Sequence, residues 1–343
     1  MLYIIPFAVS FILSLGVISV LLFFEKKGFF EKFYSAKHRK SKRHIHKNRI
    51  SRFGGVAIIL SFVFTVFVDK NLIISNVLWG IIWGSLIILI IGLWDDFKEL
   101  SWRVQLFFQT CIIGILFLFG VKVNYITNPF GGVLYFDTDI KKIIGMLIVM
   151  LWALILMNAV NWLDGIDGLS GGVSLIAILT IFFLSLKPEV NQPPVAIISV
   201  ILVGGLLGFL VFNFFPAKIM AGTSGAFFMG FVLVGLSIFA GTKIATTLLV
   251  MIVPITDFFW VIGRRISIGK SIFSPGREHL HHFLLEIGWS QKKIVFFFYI
   301  ITIMMSIFSL IINTGSKIFL TIMVATVLLA SYLVINKKFY FKV

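Results

Sequence analysis

Residues 158–169 read Asn158-Ala159-Val160-Asn161-Trp162-Leu163-Asp164-Gly165-Ile166-Asp167-Gly168-Leu169, two acids and two amides at the end of an apolar run. The apolar part, Ile143 to Leu163, is 21 residues long. At helical rise that is roughly 31 Å, about one hydrocarbon thickness, so Asp164 and Asp167 fall at a membrane face. An acid at mid-bilayer would cost about 2.5 to 3.5 kcal/mol, and acids kept this close to a membrane are read first as functional. Solvated helix caps are the plainer alternative, which residue identity alone does not exclude.

The spacing adds to this. Asn158, Asn161, Asp164 and Asp167 follow one another at i, i+3, so neighbours share a helical face while the first and last would diverge by about 180° on an unbroken helix. Convergence on one ligand requires a bend, and Gly165 and Gly168 supply backbone that can make it. Carboxylate and amide oxygens grouped this way suit a hard cation such as Mg²⁺, which takes one or two carboxylates and completes its shell with water and phosphate oxygens.

Hydrophobic residues make up 59% of the 343 positions and the mean hydropathy is +1.06, which points to an integral membrane protein. The expected fold is an all-α polytopic membrane protein of one domain, residues 1–343, since a run of this length must satisfy its backbone within the segment. About eleven transmembrane helices are expected, over residues 1–24, 54–68, 74–93, 103–120, 143–163, 168–186, 195–213, 224–240, 242–262, 294–312 and 317–335. If the first loop is cytoplasmic, 23 of the 30 lysines and arginines lie on that side and seven on the other. The positive-inside rule then puts the N-terminus out and the C-terminus in. Much of the +16 net charge would sit where anionic lipid and anionic substrates meet it. Lys26 to Arg52 carries eleven of these basic residues; its plain reading is a topology determinant, and no nucleic-acid-binding module accompanies it. The first span lacks a basic leader and a cleavage signature, so it reads as a retained helix. Cys111 stands alone and cannot form an intramolecular disulfide.

Further polar clusters lie at other span ends on the same side. Arg52 opens Arg52-Phe53-Gly54-Gly55 and is placed to meet an anion. Asp95 and Asp96 end the third span; adjacent residues point about 100° apart on a helix, so the two have different tasks. Asn213 closes the seventh span, followed by Lys218 and then Gly222-Thr223-Ser224-Gly225. Such a glycine and hydroxyl segment before a helix can cradle phosphate through its amides, or can be a plain close-packed helix start. The longest late loop contains Arg277, His279, His281 and His282. The histidine spacing does not fit a usual zinc site, and with Arg264 and Arg265 nearby diphosphate binding is the better reading.

Taken together, these clusters resemble the polyprenyl-phosphate N-acetylhexosamine-1-phosphate transferases, glycosyltransferase family 4, over nearly the whole length. The resemblance rests on Arg-Phe-Gly-Gly at 52–55, Asp95-Asp96, Asn158 to Leu169, Asn213 with Pro216-Ala217, and His279-Leu280-His281-His282. The last is similar to the branch that uses UDP-N-acetylhexosamines to begin teichoic-acid, O-antigen and enterobacterial-antigen synthesis. The resemblance implies transfer of a sugar-1-phosphate, GlcNAc-1-phosphate foremost, from a UDP-N-acetylhexosamine to undecaprenyl phosphate, with release of UMP. It implies Mg²⁺, with Mn²⁺ as a substitute, and an active site at the cytoplasmic face of a bacterial inner membrane. Implied partners are the two substrates, membrane lipid and a second copy of the chain in a homodimer, with no nucleic acid.

By that resemblance Asp95, Asp96, Asp164 and Asp167 are catalytic. Asp95 activates or orients the lipid phosphate and Asp96 supports it. Asn161, Asp164, Asp167 and Thr223 serve the metal. Arg52, Asn158, Asn161, Asn213, Lys218, Arg277, His279, His281 and His282 bind substrate. The chain departs from the family pattern at Thr223, where an Asp ligand is usual, at Gln105 in place of a Lys, at Gly276 in place of an Asp, and at Arg49 and Ser51 in place of prolines. A weak or inactive scaffold relative is therefore the alternative reading. A transporter is a more distant one, since no inverted repeat with broken mid-membrane helices is visible.

Overall fold

The computed structural model describes residues 1–29, 50–128, 132–239, 243–273, 276 and 278–340; most of the basic first loop, including Arg49, and Arg277 lie outside the described residues. Thirteen helices occur among them: α1 (Ile4–Lys26), α2 (Gly54–Val68), α3 (Asn76–Lys98), α4 (Trp102–Leu118), α5 (Asp139–Leu163), α6 (Leu169–Ser185), α7 (Pro193–Asn213), α8 (Gly222–Phe239), α9 (Ile244–Val250), α10 (Ile252–Ser267), α11 (Leu280–Glu286), α12 (Gln291–Ile311) and α13 (Thr314–Tyr340). A small antiparallel hairpin, β1 (Tyr125–Thr127) and β2 (Val133–Tyr135), pairs Ile126 with Leu134 between α4 and α5.

Seven helices, α1, α3, α5, α7, α8, α12 and α13, are long and apolar enough to cross a membrane. The chain is a multi-pass, all-α membrane protein. Three expected spans, α2, α4 and α6, are apolar but only 15 to 17 residues long. The expected span 242–262 is not one helix: α9 and α10 meet at 77° around Met251. Pro254 explains the break, because it cannot donate to the Val250 carbonyl and would clash with it, whereas near the start of a new helix its missing N–H costs nothing. The fifth span starts at Asp139 and not 143, because Thr138 caps it, its hydroxyl accepting from Lys141 N at 3.4 Å.

Burial ranks the helices. In α8, 94% of the apolar stretch is enclosed, against 17% in α1 and α13. α8 packs against α2, α3, α5 and α6, and α7 holds α1 and α6. The helix most enclosed by neighbours thus begins at Gly222, and its N-terminal end is surrounded by the C-terminal ends of α3, α5 and α7. Away from these termini, Lys187 bonds to the Leu310 carbonyl and Lys317 to Thr246, which gathers the α6–α7, α12–α13 and α8–α9 connections at another end of the bundle.

Candidate active site

Three carboxylates converge on the first turn of α8. Gly222 N donates to Asp164 Oδ2 at 3.0 Å, and Thr223 N donates to Asp96 Oδ1 at 2.9 Å. Ser224 adds longer bonds from its amide and hydroxyl to Asp96 Oδ2, both 3.4 Å. Thr223 Oγ1 donates to Asp95 Oδ2 at 2.6 Å. A helix start has unpaired N–H groups and the positive end of its dipole, which is why acids from α3 and from the α5–α6 turn are held there. Asp96 is fully buried and faces Arg52, whose Nε lies 4.0 Å from Oδ1.

Backbone geometry makes this approach possible. Gly222 has φ +71°, and a Cβ there would lie 2.2 Å from the Arg52 carbonyl and 2.6 Å from Asp96 Oδ2. Only glycine lets the turn and the carboxylate occupy adjoining space. The segment at Arg52 is tied to the same loop: Met220 N donates to Ser51 O, Gly54 N to Met220 O and Gly55 N to Ala221 O, at 2.7 to 2.9 Å.

The 158–169 stretch bends where the spacing requires. α5 stops at Leu163, Asp164 caps it, and Gly168 has φ +79° just before α6. Asn158 stays on the helix, its Nδ2 donating to Gln109 Oε1 at 2.9 Å and to the Leu154 carbonyl at 2.8 Å. Asn161 lies one turn later, half-buried. Asp164 Oδ1 accepts from Ser170 Oγ at 2.6 Å. Burial pushes the Asp164 carboxyl up to about 6, against the opposing pull of Ser170, the Arg52 charge and the Gly222 amide. Asp167 turns to the other side of the bend, where its Oδ2 accepts from Ala217 N at 2.9 Å. Asn213 is buried and bound to the chain itself, accepting from Gly168 N at 3.0 Å and donating to the Ile219 carbonyl at 2.7 Å. Lys218 is exposed beside a cavity of about 830 Å³ that Asp167, Ser51, Lys26, Phe212 and Phe215 also line.

The histidines come to the same end of the bundle from α10–α11. His279 Nδ1 lies 2.8 Å from Asp257 Oδ2, and Asp257 Oδ1 accepts from Leu280 N at 2.7 Å and Tyr332 Oη at 2.5 Å. An ionised carboxylate only accepts, so the proton of His279 is on Nδ1 and Nε2 is left for another partner. His281 is 1% exposed, stacks on His279, and neither of its ring nitrogens has a hydrogen-bond partner among the described residues. Its Nε2 approaches Gly165, 3.2 Å from where a Cβ would stand. Burial, then the neighbouring His282 and His279, hold its imidazole well below the usual value, so it is neutral near pH 7. His282 is half-buried and 4.3 Å from His281, ring centre to ring centre. Arg265 is buried and donates to Glu278 Oε2 at 2.9 Å. Burial opposes ionisation of Glu278, but the Arg265 bond and charge outweigh it and hold this carboxyl below its ordinary range.

The structure therefore brings Arg52, Asp95, Asp96, Asp164 and Thr223 together. Asp167 and Lys218 border the adjoining cavity, and His281 reaches Gly165 from a third side. Several positioning residues escaped the reading of the sequence. Asp257 had a signal, an acid inside an apolar run, whereas Ser170, Tyr299, whose hydroxyl donates to the Gly168 carbonyl at 2.5 Å, and Tyr332 had none.

A Mg²⁺ ion suits this donor set. Asp96 Oδ2 and Asp164 Oδ2 both reach Gly222, and every side-chain donor there is oxygen. No group of three or more His, Cys, Asp or Glu side chains among the described residues could hold a metal by itself. Water and substrate phosphate would have to complete the shell.

Known proteins resemble this chain over most of its length. The family model described as glycosyl transferase family 4 matches residues 78–241. A probable undecaprenyl-phosphate N-acetylglucosaminyl 1-phosphate transferase of Bacillus subtilis is 30% identical over 284 residues, 80% of this chain and 77% of its own. A decaprenyl-phosphate N-acetylglucosaminephosphotransferase of Mycobacterium leprae is 33% identical over 288 residues, 75% and 72% of the two chains. A phospho-N-acetylmuramoyl-pentapeptide-transferase of Carboxydothermus hydrogenoformans is 29% identical over 304 residues, 78% and 86%. With the identity and coverage these relatives have, and with the acid-ringed start of α8 lying inside the matched segment, the chain belongs to glycosyl transferase family 4.

Proposed function

We propose that this protein transfers N-acetylhexosamine-1-phosphate, GlcNAc-1-phosphate foremost, from a UDP-sugar to undecaprenyl phosphate at the cytoplasmic face of a bacterial inner membrane. An oxygen of the lipid phosphate attacks the sugar-bearing phosphorus, the bond between the two phosphates of the donor breaks, and UMP leaves. Phosphoryl transfer needs positioning and charge neutralisation more than covalent help from the protein. The observation that carries the reading is the convergence of Asp95, Asp96 and Asp164 on the start of α8 beside Arg52.

When bound, Mg²⁺ would be held by Asp164 and Asp96 and would neutralise diphosphate charge. Thr223 and Gln105 hold the two oxygens of Asp95, at 2.6 and 2.9 Å, and aim it for the lipid phosphate. Asp167 and Lys218 face the cavity that suits the nucleotide, whose volume is within the usual range for such ligands. His281, neutral and unpartnered, and His279 Nε2 are placed to meet the diphosphate from the side of Gly165. Asn158 and Asn213 support the bend by their bonds to Gln109, Gly168 and Ile219. Arg277 completes the phosphate contacts in this reading.

The test is incubation of the purified chain with undecaprenyl phosphate, Mg²⁺ and a panel of UDP-sugars. UMP release with UDP-GlcNAc supports the reading. Release with none of the sugars favours a scaffold relative, for which Thr223 in the place of an Asp is the supporting observation.

A further inference from the structure

At the end of the bundle away from the acid cluster, Lys141 and Lys142 are paired with Asp137 and Asp139 at 2.9 and 2.8 Å. Lys187, Lys243 and Lys317 are arranged differently. They come from three separate connections, and two of them are bound at or across the turn between α12 and α13. Lys187, just past α6, donates from Nζ to the Leu310 carbonyl in the last turn of α12. Lys317, in the first turns of α13, donates to Thr246 Oγ1 at 2.9 Å, and Thr246 N bonds to the Lys243 carbonyl at 3.1 Å. Leu310, which accepts from Lys187, and Lys317 flank the same turn, closed by the Lys317 N to Asn313 O bond at 3.0 Å, while Lys243 lies three residues before Thr246, the acceptor of Lys317.

Lys317 is 7% exposed, and none of the three lysines has an ion-pair partner among the described residues. An ammonium group has three protons to donate, and Lys317 spends one on a neutral hydroxyl. Three cations gathered around these connections repel one another, and Lys317, the buried one, is poorly solvated, so the arrangement is costly without an anion. Capping the C-terminal carbonyls of α12 accounts for Lys187 alone. The same turn is the N-terminal end of α13, whose dipole also favours negative charge. A tetrahedral phosphate offers several oxygens, enough for three separate ammonium donors.

We propose that Lys187, Lys243 and Lys317 form a binding site for a phosphate group at the membrane face opposite the acid cluster. The site lies at the end of membrane helices, the level of lipid headgroups, so the phosphate comes either from an anionic lipid or from solution. It does not depend on the transfer reaction proposed above.

Thermal unfolding of the full chain in neutral detergent tests it, with added inorganic phosphate or added phosphatidylglycerol, for wild type, Lys243→Ala and Lys317→Met. Wild type should be stabilised, and Lys243→Ala should need about tenfold more ligand for the same shift, as for loss of one charge-assisted hydrogen bond. Lys317→Met should lose the response even where its ligand-free stability is higher. Stabilisation by phosphatidylglycerol alone assigns the site to a lipid headgroup; stabilisation by both ligands assigns it to phosphate itself. Lys243 is only half-buried, so its variant carries the test if Lys317→Met does not fold. No stabilisation of wild type by either ligand, or equal responses in wild type and Lys243→Ala, overturns the proposal.

Discussion

The Thr223 hydroxyl donates to Asp95 Oδ2 at 2.6 Å, so the residue that the resemblance sets in the place of an Asp is bonded to one of the acids gathered at the start of α8. A hydroxyl can both hold a carboxylate and leave the site one negative charge lighter than an Asp at the same place would.

Thr223→Asp should therefore put a third carboxylate against Asp95 and Asp96. Without a cation the protein should melt at a lower temperature. With Mg²⁺ the cation concentration for half-maximal rate should fall by about tenfold, equivalent to roughly 1.4 kcal/mol of metal binding. An unchanged Mg²⁺ dependence would mean that position 223 does not face the metal.

Asp164→Asn and Asp167→Asn should each reduce UMP release by about two orders of magnitude or more, comparable to losing a preorganised electrostatic group. Expression and folding should be nearly unchanged, because an Asn carbonyl can still accept from Gly222 or Ala217. Initial-rate measurement on detergent-solubilised variants decides it, and wild-type turnover would return both residues to the role of helix caps.

Asp257→Asn should remove the acceptor that holds the Nδ1 proton of His279, and Tyr332→Phe should release one side of the same carboxylate. We expect about a 10- to 100-fold loss of rate for the first, in line with other second partners of a functional His, and a smaller loss for the second. A pH–rate profile should move for Asp257→Asn more than for Tyr332→Phe; identical profiles in both variants and wild type would contradict this role.

Glu278→Gln tests the buried pair with Arg265. The Glu278 carboxyl is held below its ordinary value of 4.5, so the pair contributes stability above that value and loses it as pH falls through the lower, folded-state value. At pH 7 the variant should be less stable by roughly 1 to 3 kcal/mol, since buried Arg265 keeps its bond to the Ile272 carbonyl but loses the charged acceptor. The difference from wild type should hold from pH 7 down to about 4.5 and shrink on further acidification, which melting curves carried from pH 7 to well below 4.5 can follow.

Much of this was legible from residues 158–169. An apolar run of membrane length ending in four polar residues located the face, and the i, i+3 spacing required the bend that Asp164 to Gly168 make. The broken ninth span was less legible, because hydropathy averages over Pro254 and does not register a lost hydrogen bond. The partners of each acid could not be read either. Asp95, Asp96 and Asp164 meet at α8 while Asp167 turns toward Ala217, and that depends on which amides of a distant loop arrive beside each carboxylate. Asn213 illustrates the same limit, since its place at a span end is visible but its bonds to Gly168 and Ile219 arise only from packing.

The most direct measurement uses UDP-GlcNAc labelled with ³²P at the phosphorus that carries the sugar, incubated with undecaprenyl phosphate, Mg²⁺ and the purified protein. The account predicts that the label moves into the lipid fraction, that unlabelled UMP appears in equal amount, and that Asp164→Asn stops both. Label remaining in the aqueous fraction, or label entering lipid at the same rate with Asp164→Asn, would contradict it.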